Sequence, residues 1–165
     1  MIELTTLAGH RRRSPPDQMN ETAPDIREEF SAGGVLLRQA AGGPEALVIR
    51  VRKTGYEIPK GHIEPGESET EAAIRETREE TNVLNDLTAI RPLDSIAYAF
   101  EHSGRTIRKQ VTYFLLRSTS DEPITFGPRP SGTREIRWLN ATDATACEFV
   151  NEALRRIVLA AIDAA

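Results

Sequence analysis

Carboxylate side chains are concentrated in one short stretch of the sequence, residues 61–83. Seven glutamates fall within seventeen residues there, with Arg75 and Arg78 among them: Glu64, Glu67, Glu69, Glu71, Glu76, Glu79 and Glu80. Like charges at such close spacing repel each other along a helix. A bound divalent cation with a preference for oxygen ligands would explain why so many glutamates lie together. Mg²⁺ is the usual cation when a substrate brings phosphates.

The second half of this stretch predicts a helix. Ser68 is a good N-cap residue, Glu71 stands three residues later as in a capping box, and Asn82 can end the helix in a left-handed conformation. On such a helix, three glutamates at i, i+3 and i+4 project from one face, and these are Glu76, Glu79 and Glu80.

A solvated acidic helix face is the usual explanation of a charge run. It does not account for the segment before the helix, where Pro59, Gly61, Pro65 and Gly66 indicate a tight loop. An EF-hand loop is excluded by the spacing, because the helix interrupts any Asp-rich loop.

The same stretch resembles the Nudix box, G-x5-E-x7-R-E-U-x-E-E-x-G-U, in which U is a bulky aliphatic residue. Thr77 and Asn82 depart from this motif, but neither departure removes a carboxylate. The positions that match are Gly61, Glu67, Arg75, Glu76, Glu79, Glu80 and Val83. The resemblance covers residues 30–163 and implies an α/β/α sandwich with a mixed β-sheet between helices.

The resemblance also implies a reaction, the Mg²⁺-dependent hydrolysis of a nucleoside diphosphate linked to another group X, with Mn²⁺ as a substitute. A carboxylate-bound cation neutralises charge on the leaving phosphate and lowers the pKa of a bound water, which attacks phosphorus in line. A Nudix-fold module that only senses a nucleotide is the alternative, and the intact carboxylates count against it.

By position in the motif, the metal ligands are expected to be Gly61, through its carbonyl, Glu67, Glu76, Glu79 and Glu80. Glu76 could instead act as general base, oriented by Arg75, and Glu67 could brace the loop. In several family members a glutamate beyond the box is a base or ligand, and Glu135 is the nearest candidate here. Because Arg137 lies on the same face of that strand, an ordinary ion pair is the alternative for Glu135.

Five residues are candidates for holding the substrate, namely Arg50, Arg52, Lys60, Tyr98 and Lys109. The segment from Pro59 to Glu67 is similar to the PKGH-x-EPGE form of dinucleoside polyphosphate hydrolases and of diphosphoinositol-type enzymes. Tyr98 is near the position where the former carry a tyrosine that stacks on a base. Each basic residue has a plain alternative as a solvated charge, and Tyr98 has one as a strand aromatic.

A dinucleoside polyphosphate is therefore the favoured substrate. Nucleoside triphosphates, RNA 5′ ends and diphosphoinositol polyphosphates are the alternatives. The formal net charge of −4 argues against general nucleic-acid binding. With no apolar run of membrane-spanning length and no signal-peptide core, a cytoplasmic protein is expected. The oligomeric state is left open, a homodimer included.

Hydrophobic patterning predicts one domain after a flexible arm at residues 1–29, which carries Arg11, Arg12 and Arg13. Strands are expected at 30–38, 46–52, 87–100, 106–117 and 134–139. The third and fourth of these form a central hairpin, and a single amphipathic helix runs from Asp143 to the C-terminus. Arg50 and Arg52 are expected on one face of the second strand.

Overall fold

The computed structural model describes residues 26–165. The elements in chain order are β1 (Ile26–Ala40), β2 (Gly43–Arg50), β3 (Lys60–His62), α1 (Glu69–Thr81), β4 (Leu87–His102), β5 (Arg105–Ser118), β6 (Glu135–Leu139), α2 (Ala141–Ala146) and α3 (Glu152–Asp163). The expected arm, with its three arginines, lies outside the described residues except for 26–29, which begin β1.

The strands form one six-stranded mixed sheet in the order β4-β5-β1-β2-β6, with β3 beside β1. β1 is parallel to β5, and the other pairs are antiparallel. β1 changes partner along its length, because Ser31 to Gly33 pair with β3 whereas Leu37 to Ala40 pair with β2. β3 and β2 thus occupy different stretches of the same edge of β1.

Side chains alternate between two cores, one on each face of the sheet. Val35 and Leu37 point to the core under α3, whereas Ala32 and Leu36 point to the core under α1. Helices α1 and α3 therefore lie on opposite faces of the sheet. The expected arrangement of a mixed sheet between helices is confirmed.

Helix α1 begins and ends where the sequence predicts. The Ser68 hydroxyl accepts from the Glu71 N–H while the Glu71 carboxylate accepts from the Ser68 N–H, which completes the capping box. Asn82 ends the helix at φ 54°. Thr77, which departs from the motif, is fully buried and donates its hydroxyl to the Ala73 carbonyl at 2.7 Å. The departure therefore leaves no unpaired polar group in the core.

The hairpin of β4 and β5 is not central, contrary to expectation. β5 lies inside the sheet against β1, but β4 is an edge strand. Much of β4 is exposed, including Ile90, Tyr98 and Phe100. The β-forming pattern of both strands does not distinguish them, since strand order depends on contacts distant in sequence.

The single C-terminal helix was also a wrong prediction, because residues 147–151 separate α2 from α3. The backbone at Tyr56 causes the break: its N–H donates to the Glu148 carbonyl at 2.8 Å, and its carbonyl accepts from the Val150 N–H at 3.1 Å. This pairing holds residues 148–150 extended. Asn151 then caps α3 by accepting from the Leu154 N–H at 3.0 Å.

Within residues 26–165, none of the helices has the length and apolar character needed to cross a membrane. The expected cytoplasmic location stays a prediction.

Candidate active site

Arg75 on α1 is the centre of a carboxylate network. Its guanidinium donates to both oxygens of Glu67, at 2.8 and 2.9 Å, to Glu76 Oε1 at 2.7 Å, and to the His62 carbonyl at 2.9 Å. Glu79 Oε2 lies 3.4 Å away. The hydrogen bonds to Glu67 and then to Glu76 raise the pKa of Arg75 further above its ordinary value. One permanent cation therefore fixes three box carboxylates.

Glu67 belongs to this network rather than to an exposed surface. Hydrogen bonding from Arg75 first, and from the Glu64 N–H second, lowers the pKa of Glu67 from 4.5 to about 2. A carboxylate so firmly paired braces the loop before α1. The contacts thus favour the bracing role for Glu67 over a role as metal ligand.

Glu76 rests on the backbone of Gly61. A Cβ placed on Gly61 would overlap the Glu76 carboxylate, so only glycine admits this contact. Arg75 holds the same carboxylate from the other side. The arrangement explains why the motif requires glycine at a position that is fifteen residues before its glutamate partner.

Glu80 has a different environment from the rest of the cluster. Its Oε2 accepts from the Lys60 N–H at 2.8 Å. Burial raises the pKa of Glu80 from 4.5 to about 7, the Lys60 N–H and charge oppose that rise, and the charges of Glu76 and Glu57 add to it. The carboxyl group therefore takes up a proton near neutral pH in the protein without a cation.

Glu57 is a site residue that the sequence did not single out. Its carboxylate accepts from Lys60 Nζ at 3.0 Å, and only 12% of its side chain is exposed. Its charge also acts on Glu80. The alternation of Glu57 with buried Tyr56 and Ile58 was an available signal, but nothing in it indicated which partner Glu57 meets.

The donor set suits a hard cation, because carboxylates and a backbone carbonyl are the oxygen ligands that Mg²⁺ prefers. The residues that would hold it are Glu76, Glu79, Glu80 and Gly61. Across residues 26–165, no three acidic, histidine or cysteine side chains are gathered as a ready cluster for a metal ion. Arg75 instead balances Glu76 and Glu79.

Glu135 lies in a separate network on β6. It accepts from the Tyr56 hydroxyl at 2.8 Å and lies 3.5 Å from Arg50 Nη1, its cross-strand neighbour. The Arg50 guanidinium also stacks over the Tyr56 ring at 4.4 Å. The expected pair with Arg137 does not form, since Arg137 instead donates to the Tyr56 hydroxyl at 3.4 Å. In the described part of the chain, no hydrogen bond or ion pair joins Glu135 to the carboxylates of α1.

Arg52 does not share a strand face with Arg50. β2 ends at Arg50, and Arg52 is exposed in the irregular segment that follows. The chain leaves the strand after Arg50 because Glu57 pairs with Ile49, which requires the backbone to turn back between them.

Tyr98 and Lys109 face each other across the ladder of β4 and β5, so their side chains share one face of the sheet. Tyr98 is 46% exposed, and its ring stacks on Phe100 with centroids 6.1 Å apart. Both Tyr98 and Lys109 line a cavity of about 470 Å³. An exposed aromatic pair beside a cation is a suitable surface for a nucleobase and its phosphates.

A family model described as the NUDIX domain matches residues 29–160. The match covers more than half of the chain and includes the carboxylate network, so the chain belongs to the Nudix family.

Two curated relatives and a solved structure are similar to it. The chain is 35% identical over 126 residues to the putative mutator protein MutT4 of Mycobacterium tuberculosis, covering 72% of this chain and 50% of that protein. It is 33% identical over 96 residues to the asymmetrical bis(5′-nucleosyl)-tetraphosphatase of Caenorhabditis elegans, covering 57% of this chain and 68% of that protein. The crystal structure of C. elegans Ap4A hydrolase aligns with a TM-score of 0.59 and 28% identity, over 82% of this chain and 96% of that one. The chain thus spans only half the length of the mycobacterial relative.

Proposed function

We propose that this protein is a Mg²⁺-dependent pyrophosphohydrolase that cleaves a nucleoside diphosphate linked to X, with dinucleoside polyphosphates as its preferred substrates. The observation that carries the reaction is the Arg75 network, in which one guanidinium holds Glu67, Glu76 and Glu79 while Glu76 rests on Gly61. The fourth box carboxylate, Glu80, accepts from the Lys60 N–H. A module that had kept only nucleotide binding would have no need of this acidic arrangement.

The cation supplies charge neutralisation and an acidified water when it is bound. The residues that would hold it are Glu76, Glu79, Glu80 and the Gly61 carbonyl, with Arg75 fixing the first two carboxylates. Burial raises the pKa of Glu80 to about 7 in the metal-free protein, so a cation would have to displace a proton from this group near neutral pH. Among residues 26–165 Glu135 contacts Tyr56 and Arg50 and not the residues around Arg75, so we assign it to the Tyr56 network.

We infer that basic side chains on one sheet face bind the phosphate groups. Lys60 is the first of them, because its N–H contacts Glu80 while its ammonium group is held by Glu57. Lys109 and Tyr98 share that face. In this proposal the polyphosphate chain follows a path along the face from the carboxylates toward Tyr98.

The choice of substrate is supported by two observations. Tyr98 and Phe100 present stacked exposed rings at the end of that path. Relatives named bis(5′-nucleosyl)-tetraphosphatase and Ap4A hydrolase are among the similar proteins. A dinucleoside polyphosphate has a second base that such rings can stack on, whereas a diphosphoinositol polyphosphate has none.

The experiment is an assay of the protein with Mg²⁺ or Mn²⁺ against diadenosine tetraphosphate, nucleoside triphosphates, a nucleotide sugar, a diphosphoinositol polyphosphate and 5′-triphosphorylated RNA. Products are identified by mass after reaction in ¹⁸O-water, which locates the attacked phosphorus. Diadenosine tetraphosphate should give the highest kcat/KM. Glu80→Gln should abolish turnover, whereas Glu64→Gln, which alters an exposed acid outside the network, should not.

Failure to hydrolyse any of these substrates would overturn the proposed reaction. A higher kcat/KM for RNA or for nucleoside triphosphates would keep the reaction and replace the substrate.

A further inference from the structure

Tyr113 is a buried tyrosine in the middle of β5, with only 1% of its surface exposed. Its ring packs flat on the backbone of Gly33, where a Cβ would lie 2.8 Å from ring atoms Cδ1 and Cε1 and 2.6 Å from the Pro59 carbonyl. Glycine at residue 33 is therefore required for the ring to fit. This contact fixes one face of the ring.

The hydroxyl of Tyr113 makes no hydrogen bond to any of residues 26–165. This is unusual, since a buried tyrosine hydroxyl normally finds a partner. The other buried tyrosine, Tyr56, donates to Glu135 at 2.8 Å. Tyr113 thus holds a fixed donor that none of the described residues uses.

The register places this donor on one sheet face with Lys60, which contacts Glu80 and Glu57, and with the exposed rings. Gly33 pairs with Lys60 on one side and with Tyr113 on the other, so all three share one sheet face. Lys109 and Tyr98 lie on that face too. Burial raises the pKa of Tyr113, and the charges of Tyr98, Glu57 and Glu80 raise it further. The groups that act on the phenol therefore include two carboxylates on one side, Glu57 and Glu80, and the exposed ring of Tyr98.

We propose that the Tyr113 hydroxyl is a substrate-binding residue that donates a hydrogen bond to a non-bridging phosphate oxygen of the polyphosphate, between the cleavage site and the base on Tyr98. This rests on the proposed function. Phosphate oxygens that are ionised are acceptors only, and a neutral phenol can donate to them. A neutral donor also suits a position near Glu57 and Glu80, where a further cation would be drawn to the carboxylates instead of the substrate.

The test compares Tyr113→Phe with Thr112→Val. Thr112 precedes Tyr113 on the strand but lies on the opposite face of the sheet, where its hydroxyl donates to Glu69 at 3.1 Å. The control therefore removes a neighbouring hydroxyl on the other face. For diadenosine tetraphosphate, Tyr113→Phe should lower kcat/KM by about ten- to a hundredfold, chiefly through KM, which corresponds to a lost hydrogen bond to a charged group. Thr112→Val should be close to wild type. The thermal midpoints should show that both variants are folded.

A value of kcat/KM for Tyr113→Phe within about threefold of wild type would overturn the inference while the proposed function stood. If the wild-type protein hydrolyses no substrate, the proposed function fails, and calorimetry decides the role of Tyr113 separately. The probe is then adenosine 5′-(β,γ-methylene)triphosphate with Mg²⁺. Weaker binding by Tyr113→Phe than by wild type supports the donor role, and equal binding, or no binding by wild type, overturns it.

Discussion

The carboxylate of Glu76 lies against the backbone of Gly61, in the space that any side chain at residue 61 would fill. The two residues come from different elements, β3 and α1, and Arg75 holds the carboxylate in this position at 2.7 Å. The contact brings a candidate ligand carboxylate and a candidate ligand carbonyl together without any intervening side chain.

Substitution Gly61→Ala should therefore remove activity while leaving the fold intact. The added methyl group displaces the Glu76 carboxylate, and a misplacement of about 1 Å at a reacting site costs on the order of a hundredfold in rate. The measurement is kcat/KM, with the thermal midpoint as the check on folding. Gly42→Ala is the matched control, because a Cβ there meets nothing within 4 Å. Near-normal activity of Gly61→Ala would show that the contact has no role.

Arg75→Lys should lower activity although it conserves the charge. A lysine offers one point charge, whereas Arg75 donates to Glu67 through two nitrogens and to Glu76 through a third contact. Loss of a residue that orients metal ligands typically costs about 10- to 100-fold in metal affinity or activity. Titration of Mg²⁺ at saturating substrate measures the change. Arg78→Lys, which alters an exposed pair with Asp86, serves as control, and equal effects of the two variants would contradict the role of Arg75.

Glu80 should make the stability of the metal-free protein depend on pH. Burial raises its pKa in the folded protein to about 7, above the ordinary value of 4.5. The folded state holds this proton more tightly than the unfolded state, so the resulting stabilisation is complete below pH 4.5 and is lost as the pH rises through about 7. The thermal midpoint of Glu80→Gln should consequently rise relative to wild type between about pH 5 and about pH 8.

Added Mg²⁺ should offset this loss in the wild-type protein, because the ionised carboxylate is the form that binds a cation. The increase in thermal midpoint with Mg²⁺ should be larger at about pH 8 than at about pH 5, and smaller in Glu80→Gln. Glu64→Gln provides the control for a simple change of net charge. A midpoint difference between Glu80→Gln and wild type that is constant with pH would contradict the raised pKa.

Tyr98 should contribute through its ring rather than its hydroxyl. Stacking of a base on an aromatic side chain is worth roughly 1–3 kcal/mol, so Tyr98→Ala should raise KM for diadenosine tetraphosphate by roughly 5- to 100-fold. Tyr98→Phe keeps the ring and should behave as wild type. Steady-state kinetics distinguish the two roles: if Tyr98→Phe loses as much as Tyr98→Ala, the hydroxyl is the group that matters.

The helix that carries the box could be predicted from sequence because its determinants are local. The capping box joins residues three apart, and Asn82 adopts its left-handed conformation without a distant partner. The spacing of Glu76, Glu79 and Glu80 along one helix face is likewise independent of the rest of the chain.

The errors all involve contacts between distant segments. The pairing of Tyr56 with Glu148 and Val150 interrupts the C-terminal helix, although the apolar spacing there is helical. The neighbour of β5 within the sheet is β1, which leaves β4 at the edge. Glu135 pairs with Arg50 rather than with Arg137 two residues away, because β2 lies beside β6.

The sequence by itself determined which residues can carry out the proposed chemistry, since residue type and spacing on a helix are enough to present a set of carboxylates. Only the tertiary structure decided how those carboxylates are held. It set Glu76 against Gly61, gave Glu80 a raised pKa through burial, placed Glu57 where its charge acts on Glu80, and left the Tyr113 hydroxyl without a partner among the described residues. Each of these depends on burial or on a contact between separate elements, and neither is encoded in the local order of residues.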